Sequence, residues 1–425
     1  MEGERGRVCV TGGAGFVASW LIMKLLEQGY SVNTTVRPHP EHKRDVSFLT
    51  SLPGGSERLQ IFYADLSEPS GFDVAIKGCI GVFHVASPTL DFGNGEPEEV
   101  VIQRATDGTL GILKACLNSK TVKRVVLTSS ASAVAFNGSG VEMMDEAYWS
   151  DVDYIRASNL PIGPYFVSKT LTEKRALEFA QEHGLDLVTL TPAYIHGPFI
   201  CPNMPFSVHI SLAMVLGDRE QYGLLVKAPM VHIDDVARAH IFLLEYPEAK
   251  GRYICSKDTI TIEEMSEFLS AKYPEYSIPT LEYLKDVEGL KIPGLSSKKL
   301  LDSGFKFRYG LEDMFDGAIQ CCKEKDKLTI EEMNNLLSAK YPERPIPTLE
   351  CVKLKVLAIR PNYWILVSNT NFENKEPEEV VTKRTIDGTS GILKACLNSK
   401  TVKRFVCTSS LSAVEFHESG VDIMD

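Results

Sequence analysis

Two side chains in one predicted helix have the right types and spacing for proton transfer. The segment PYFVSKTLTEKRALEFAQEHG has a helical pattern, which places Tyr165 and Lys169 four residues apart on one face. A phenol and an ammonium group held side by side can exchange protons with a substrate. The alternative is an amphipathic helix tip beside a solvated lysine, which is the commoner case for such a pair alone. A glycine-rich turn and two strand-end serines elsewhere in the chain favour the chemical interpretation.

The glycine-rich turn near the N-terminus has the pattern of a dinucleotide-binding site. RVCVTG, FVASWLIMKLLEQG and SVNTTVR predict a strand, a helix and a second strand. The turn places Gly12 and Gly15 where backbone can approach a ligand without a Cβ. Phe16 and Val17 begin the helix, whose free amides favour a pyrophosphate. A plain tight turn is the alternative, but the strand before it and the helix after it favour binding.

The end of the second strand indicates which nicotinamide cofactor is preferred. An acidic residue there would hydrogen-bond the ribose 2′-hydroxyl of NAD. This chain instead has Arg37, followed by Lys43 and Arg44, and its first acid after Arg37 is Glu41. A guanidinium group suits a 2′-phosphate, so the sequence predicts NADPH. A solvated basic loop is the alternative.

The remaining segments predict the sheet that positions these residues. LQIFYADL, GVFHVAS and RVVLTSS have the composition of strands and alternate with helical segments, one of which has Pro97 in its first turn. The predicted fold is therefore α/β, a Rossmann-type doubly wound parallel sheet with a smaller C-terminal substrate domain. Ligands bind at the carboxyl ends of such strands. The candidates there are Asp65, Leu66, Val85, Ala86, Ser87, Ser129 and Ser130.

Composition excludes several classes of partner. The chain has 425 residues, with 45 Lys and Arg against 56 Asp and Glu, and its net charge of −11 disfavours nucleic acid. We found no long apolar run or leader segment, which predicts a cytoplasmic protein without a membrane partner. The 10 cysteines show no CxxC spacing, and the 9 histidines form no ligand pairs. We therefore expect buried reduced thiols and no metal.

The C-terminal part of the chain repeats earlier segments. Residues 91–145 recur with changes at 371–425, and residues 261–282 recur at 329–350. The second copy contains no counterpart of the glycine turn or of the Tyr and Lys pair. We therefore predict one reductase domain at 1–327, with its substrate-binding portion mainly at 195–327, and an appended or poorly folded partial duplicate at 328–425. A monomer is expected, and the alternative is domain swapping through the repeated helix.

Several motifs together resemble a known family. TGGAGFVASW, the ADL at 64–66, HVASP, TSSASAV, YFVSK and PMVHIDDVARAH resemble the extended short-chain dehydrogenase/reductases, in their plant dihydroflavonol reductase-like branch. The resemblance runs from about residue 5 to about residue 327. It implies a reductase that uses a nicotinamide cofactor to convert a small-molecule ketone into an alcohol.

The resemblance also implies a role for each site residue. Tyr165 would donate a proton to the substrate carbonyl oxygen, and Lys169 would assist it and hold the nicotinamide ribose. Ser130 would hydrogen-bond the same carbonyl oxygen and stabilise developing charge. Pro192 would lie against the nicotinamide carboxamide. Ser129 would be a structural hydroxyl satisfied at the strand end.

Other positions bear on the substrate. Pro164 replaces two residues of the family pattern, which shortens the loop before Tyr165. Ala135 stands where dihydroflavonol reductases typically have Asn, which favours an isoflavanone or another aromatic ketone. The helix in VHIDDVARAH is expected to be capped by Asp234 or Asp235. Expected lining residues, with core packing as the alternative, are Phe199, Phe206, His209, Met214 and Tyr222.

Three classes of function remain open from the sequence. The leading hypothesis is an NADPH-dependent reductase of an aromatic ketone. The second is a nucleotide-sugar epimerase or dehydratase of the same fold, which would retain NAD through its cycle. The third is a non-catalytic cofactor-binding scaffold, for which the shortened loop and the appended segment are the arguments.

Overall fold

The computed structural model describes residues 5–38, 45–88, 97–158, 160, 162–325, 353–360, 363–369 and 404–408. The chain forms two compact units, Met1–Lys327 and Leu328–Asp425. The strands of the first unit are β1 (Arg7–Val10), β2 (Ser31–Val36), β3 (Leu59–Tyr63), β4 (Gly81–His84), β5 (Arg124–Thr128), β6 (Met143–Met144), β7 (Leu187–Pro192), β8 (Tyr194–His196), β9 (Lys227–His232), β10 (Gly251–Cys255), β11 (Asp258–Thr261) and β12 (Gly294–Leu295).

The helices of this unit begin and end as follows. They are α1 (Phe16–Glu27), α2 (Ser47–Thr50), α3 (Gly55–Arg58), α4 (Phe72–Ile76), α5 (Glu98–Ser119), α6 (Val152–Ala157), α7 (Gly163–His183), α8 (Phe206–Ser211), α9 (Ala213–Leu216), α10 (Ile233–Glu245), α11 (Ile262–Lys272), α12 (Leu281–Leu284), α13 (Lys298–Asp302) and α14 (Leu311–Glu324).

A seven-stranded parallel sheet forms the centre of the first unit. Its strand order is β10-β7-β5-β4-β1-β2-β3, so chain order reverses between β1 and β4. This arrangement confirms the predicted doubly wound α/β fold. The reversal places the ends of β1 and β4 together at the sheet's carboxyl edge, where such folds bind dinucleotides. Every residue of β2 is buried. This pattern is typical of a parallel sheet whose two faces are both covered by helices.

Two small sheets lie outside the central one. The order β11-β9-β8 forms one of them, and β12 pairs with β6 in the other. β8 follows directly after β7, so the chain leaves the carboxyl end of the central sheet and enters the C-terminal part of the unit there. α5 and α7 pack together, as do α1 and α10. These pairs position the starts of α1 and α7 close to the strand ends.

The beginnings of two helices differ from the sequence prediction. Pro97 is the residue before α5 and does not lie in its first turn, which contains Glu98 and Glu99. The prediction that Asp234 or Asp235 caps α10 is wrong. His232 is the cap, and its Nδ1 accepts a hydrogen bond from the Asp234 N–H at 3.0 Å. A histidine is an unusual cap, so a search for Ser, Thr, Asp and Asn passes over it.

The two aspartates are occupied by tertiary contacts. Asp234 accepts a hydrogen bond from Trp20 Nε1 at 3.1 Å, which ties α10 to α1. The carboxylate of Asp235 accepts the backbone N–H groups of Arg308 and Tyr309 at 3.0 and 3.1 Å. Both residues therefore hold distant segments against the start of α10.

The cysteine side chains within residues 5–325 are buried, which is the burial that the sequence predicted. They are Cys9, Cys79, Cys116, Cys201, Cys255, Cys321 and Cys322. Burial raises the pKa of the Cys79 and Cys116 thiols to about 12, so both stay protonated at neutral pH.

His196 is a buried polar side chain without a partner among the described residues. Neither ring nitrogen has a hydrogen bond, and the ring meets Phe315 edge-on with centroids 4.6 Å apart. Burial, together with the nearby His232, lowers the pKa of His196 to about 3. The unfolded chain binds a proton near pH 6.5 and the folded chain does not, so this residue reduces stability as pH falls from about 6.5 towards about 3.

Replacing His196 with leucine should therefore raise the melting temperature. We expect a gain of about 1 kcal/mol at neutral pH, because an unpaired buried polar group is removed. The gain should be about 2 kcal/mol larger near pH 5, because the proton uptake of the unfolded chain is removed as well. Thermal denaturation at the two pH values measures both.

The matched control is His240→Leu. His240 is equally buried, but its nitrogens lie 2.7 Å from Thr128 Oγ1 and 2.8 Å from the Val236 carbonyl oxygen. This variant should be destabilised at neutral pH, since two hydrogen bonds are lost. Equal changes in melting temperature in the two variants would contradict the assignment of His196 as an unpaired buried side chain.

The second unit contains a three-stranded sheet. Its strands are β13 (Lys353–Arg360), β14 (Tyr363–Asn369) and β15 (Arg404–Thr408). β13 and β14 are antiparallel, whereas β14 and β15 are parallel. The repeated helix expected at 376–404 lies outside the described residues except for Arg404.

Candidate active site

The glycine turn between β1 and α1 forms a closely packed corner. Gly12 has φ +76°, and a Cβ on it would lie 2.9 Å from the Ala86 Cα. The Gly15 N–H donates to the Gly12 carbonyl oxygen at 2.8 Å, and Gly15 precedes α1 without any side-chain cap. Phe16 and Val17 follow in the first turn of α1. Backbone amides at this exposed helix start suit a pyrophosphate.

Gly13 is a second constrained position in this turn, which the sequence analysis missed. A Cβ on Gly13 would lie 2.3 Å from Thr34 Oγ1, on the adjacent strand β2. The Gly13 N–H donates to the Thr35 carbonyl oxygen at 2.8 Å. The turn is therefore pressed against β2, which brings its amides to the sheet edge. The adjacent glycines of TGG were the available signal.

Asp65 and Arg37 lie near each other at the ends of β3 and β2. Burial alone would raise the pKa of Asp65, but hydrogen bonds from the Ser67 N–H at 2.9 Å and Oγ at 2.7 Å oppose it. With the charge of Arg37 added, the pKa of Asp65 is below its ordinary value. Leu66 follows Asp65 and packs against Gly108 of α5. Lys43 and Arg44, predicted to assist Arg37, lie outside the described residues.

A hydrogen-bond network joins the glycine turn to the end of β4. Thr11 Oγ1 accepts the Val85 and Ala86 N–H groups at 3.1 and 3.0 Å and lies 2.9 Å from His84 Nδ1. Since both lone pairs are used, Thr11 donates to Nδ1, and His84 carries its proton on Nε2, 3.1 Å from Thr109 Oγ1. Burial, with the charge of Lys169, lowers the pKa of His84 to about 3, so the ring is neutral.

Tyr165 and Lys169 lie on one face of α7, as their spacing predicted. The Lys169 Nζ is 5.8 Å from the centre of the Tyr165 ring. Pro164 lies in the first turn of α7, which begins at Gly163, and a proline is well tolerated there. The shortened loop therefore still allows a regular helix start two residues before Tyr165.

Ser130 follows the end of β5 and has its hydroxyl hydrogen available. Its Oγ accepts hydrogen bonds from the Ser132 N–H at 3.2 Å and the Ser132 Oγ at 2.8 Å. The Ser130 O–H can therefore donate to a bound carbonyl oxygen. Ser129 faces a different environment, since its Oγ donates to Glu173 Oε2 at 2.6 Å in the protein interior.

A cleft at the carboxyl edge brings several predicted residues together. Its lining residues are Ala86, Ser87, Pro88, Ala105, Thr109, Leu127, Thr128, Ser129, Ser168, Lys169, Thr172 and Glu173. Lys169 thus shares one cleft with the end of β4 and the end of β5. Pro192 ends β7 and pairs with Cys255 of β10, so it lies at the same edge of the sheet.

The predicted aromatic and apolar lining divides into two groups. Phe199, Met214 and Tyr222 are buried, in agreement with the core-packing alternative. Phe206 is half-exposed, and His209 Nε2 is 2.8 Å from Asp218 Oδ2 at the surface. Ala135 is also buried.

The described part of the chain contains neither a cluster of metal ligands nor a membrane-spanning helix. No three His, Cys, Asp or Glu side chains come close enough there to hold a metal ion. The described helices are each too short or too polar to cross a membrane.

Comparisons with known proteins agree with this geometry. Residues 8–255 match the NAD dependent epimerase/dehydratase family. A vestitone reductase of Medicago sativa is 59% identical over 329 residues, which is 77% of this chain and 100% of that protein. A dihydroflavonol 4-reductase of Callistephus chinensis is 46% identical over 318 residues, 75% of this chain and 86% of that one. The crystal structure of vestitone reductase from alfalfa superposes with a TM-score of 0.70, at 55% identity, over 76% of this chain and 100% of that chain.

Proposed function

Because the chain belongs to the NAD dependent epimerase/dehydratase family, among its plant ketone reductases, we propose that it reduces an aromatic ketone with NADPH. The substrate class would be an isoflavanone or a related flavonoid ketone, as in vestitone. The observation that carries the proposal is that Lys169, beside Tyr165 on α7, shares one cleft with Ser129, the residue before Ser130. Ala86 lines the same cleft and lies against Gly12 in the uncapped glycine turn.

The residues present suit a nicotinamide dinucleotide. The contact distance at Gly12 leaves room for backbone only, and the α1 amides offer a pyrophosphate site. Arg37 would bind the 2′-phosphate, Asp65 would lie beside the adenosine, and Lys169 would hold the nicotinamide ribose. The bound cofactor would supply hydride to the carbonyl carbon.

The protein's own contribution is to handle the charge that develops on the carbonyl oxygen. Tyr165 would donate its hydroxyl proton to that oxygen, which becomes the product alcohol. The Ser130 O–H would donate a hydrogen bond to the same oxygen and orient the carbonyl. Lys169, a cation close to Tyr165, would favour the phenolate left after proton transfer.

Ala135 supports a substrate without the ring hydroxyl groups of a dihydroflavonol. An alanine there offers a methyl group and no side-chain hydrogen bond. A substrate with an apolar ring edge would fit this position better than one with hydroxyl groups.

The test is NADPH consumption with vestitone, a dihydroflavonol and a cinnamoyl thioester offered in parallel. Reduction of vestitone in preference to the others would support the proposal. Tight NADPH binding without turnover on any of the three would favour a cofactor-binding scaffold. Interconversion of a nucleotide sugar with retained cofactor would favour the epimerase.

We propose in addition that residues 328–425 are a partial duplicate that adds no second active site. The parallel pairing of β14 with β15 resembles that of β4 with β5. A chain ending at residue 327 should be included in the assay, since the proposal requires it to retain the activity.

Replacing Arg37 with serine should reverse part of the preference for NADPH. A charge-assisted hydrogen bond contributes about 1.5–3 kcal/mol, so the ratio of kcat/KM for NADPH over NADH should fall by about 10-fold or more. The control Arg175→Ser removes an exposed arginine that pairs with Glu178 on α7, and it should leave the ratio unchanged. An unchanged ratio in the Arg37 variant would contradict its assignment to the 2′-phosphate.

A further inference from the structure

Glu173 is a buried carboxylate next to the proposed active site. It is four residues after Lys169 on α7, so the two side chains lie on one face of the helix, and both line the same cleft. Only 1% of Glu173 is exposed. A buried carboxylate is costly unless its oxygens are paired, so its partners indicate its purpose.

Four hydrogen bonds satisfy this carboxylate. Oε2 accepts from the Ser129 hydroxyl at 2.6 Å, and Oε1 accepts from the Thr189 hydroxyl at 2.6 Å. Arg252 donates to both oxygens, from Nε at 3.1 Å and from Nη2 at 3.3 Å. Glu173 on α7 is therefore bonded to the residue that follows β5, to the middle of β7 and to the second residue of β10.

Arg252 is itself fixed in place. Its Nη1 donates to the carbonyl oxygens of Glu146 and Tyr148 at 3.1 and 2.6 Å. Its guanidinium carbon lies 3.5 Å from the centre of the Trp149 ring. The buried ion pair is thus fully hydrogen-bonded, the condition under which such a network is rigid.

The Ser129 hydroxyl provides a link that the backbone does not. The Ser129 N–H already donates to the Leu190 carbonyl oxygen at 2.8 Å, which joins the end of β5 to β7. The hydroxyl joins the same residue to α7 instead. Ser130 is the next residue, so this bond connects the two parts of the proposed active site.

We propose that Glu173 is a positioning residue that sets the separation between Ser130 and the Tyr165 and Lys169 face. The inference rests on the proposed reductase function. Hydrogen bonds from Ser130 and Tyr165 must converge on one carbonyl oxygen, so small changes in their separation reduce the rate. Glu173 holds that separation through Ser129, and it does not touch the substrate.

Two hydroxyl groups allow a matched test, because each donates at 2.6 Å to one oxygen of the same buried carboxylate. Ser129→Ala removes the link to the residue before Ser130, and Thr189→Val removes the link to the middle of β7. Both variants should lower the melting temperature to a similar extent. Only Ser129→Ala should lower kcat, by about 10-fold or more, with the KM for NADPH unchanged.

The outcomes separate the inference from the function on which it rests. Equal losses of kcat in both variants, or none in Ser129→Ala, would overturn the positioning role while the reductase function stands. A wild-type chain that binds NADPH but reduces no ketone would overturn both. Retention of kcat in Thr189→Val beside a loss in Ser129→Ala, at matched melting temperatures, would support the inference.

Discussion

A Tyr165→Phe chain should bind NADPH as the wild type does but should reduce its ketone about 10²-fold to 10⁴-fold more slowly. The change removes a hydroxyl group and leaves the ring, so its packing beside Phe166 is retained. The lost group is the proposed proton donor. Steady-state kinetics with NADPH titration measures kcat and cofactor affinity separately.

Tyr246→Phe is the matched control for this variant. Tyr246 follows α10, and its carbonyl oxygen contacts Arg124, the first residue of β5. It therefore lies at the amino edge of the sheet, opposite Ser130. Removal of its hydroxyl should leave kcat unchanged. Comparable losses in both variants would indicate a general effect on folding, and full activity of the Tyr165 variant would exclude the proposed proton donor.

The residues predicted from sequence are those whose placement depends on local spacing. Tyr165 and Lys169 are four residues apart in a regular helix, so their common face follows from helical geometry. Gly12 and Gly15 lie between a buried strand and a helix, which is a local pattern as well. The parallel sheet followed from alternating strands and helices, since parallel strands need crossover connections.

Other features depend on contacts between distant parts of the chain. Glu173 and Arg252 are separated by 79 positions, and Thr11 and His84 by 73. No spacing rule links such pairs, and a buried Glu in a helix has the same sequence pattern as an exposed one. The cap at His232 was missed for a related reason, because its ring nitrogen accepts a bond usually made by an oxygen.

The substrate side was the least predictable part of the site. Phe199 was a candidate lining residue, but it is buried, with its carbonyl oxygen 3.0 Å from the Cys321 thiol. Aromatic composition does not distinguish a pocket wall from a core, since both need apolar surface. Phe199 is part of the core because Cys321 of α14 packs against it. That helix lies more than one hundred positions later in the chain, so the contact cannot be predicted from local sequence.

Gly12→Ala should abolish most of the affinity for NADPH. Alanine at φ +76° costs about 1–2 kcal/mol by itself. Its Cβ would also lie 2.9 Å from the Ala86 Cα, so either the turn or the end of β4 must move. Both segments are proposed to contact the cofactor, and we expect the Kd for NADPH to rise by about 10-fold or more. Fluorescence titration with NADPH measures it.

Gly78→Ala separates the contact with Ala86 from the cost of the backbone conformation. Gly78 has φ +74°, almost the same value, but a Cβ there would meet nothing within 4 Å. Both variants should lose a similar amount of stability from the left-handed conformation, with a further loss for Gly12 from its contact. Only the Gly12 variant should lose NADPH affinity. Unchanged affinity in both would mean that the turn does not bind the cofactor, because the close approach of Gly12 to Ala86 would then serve packing alone.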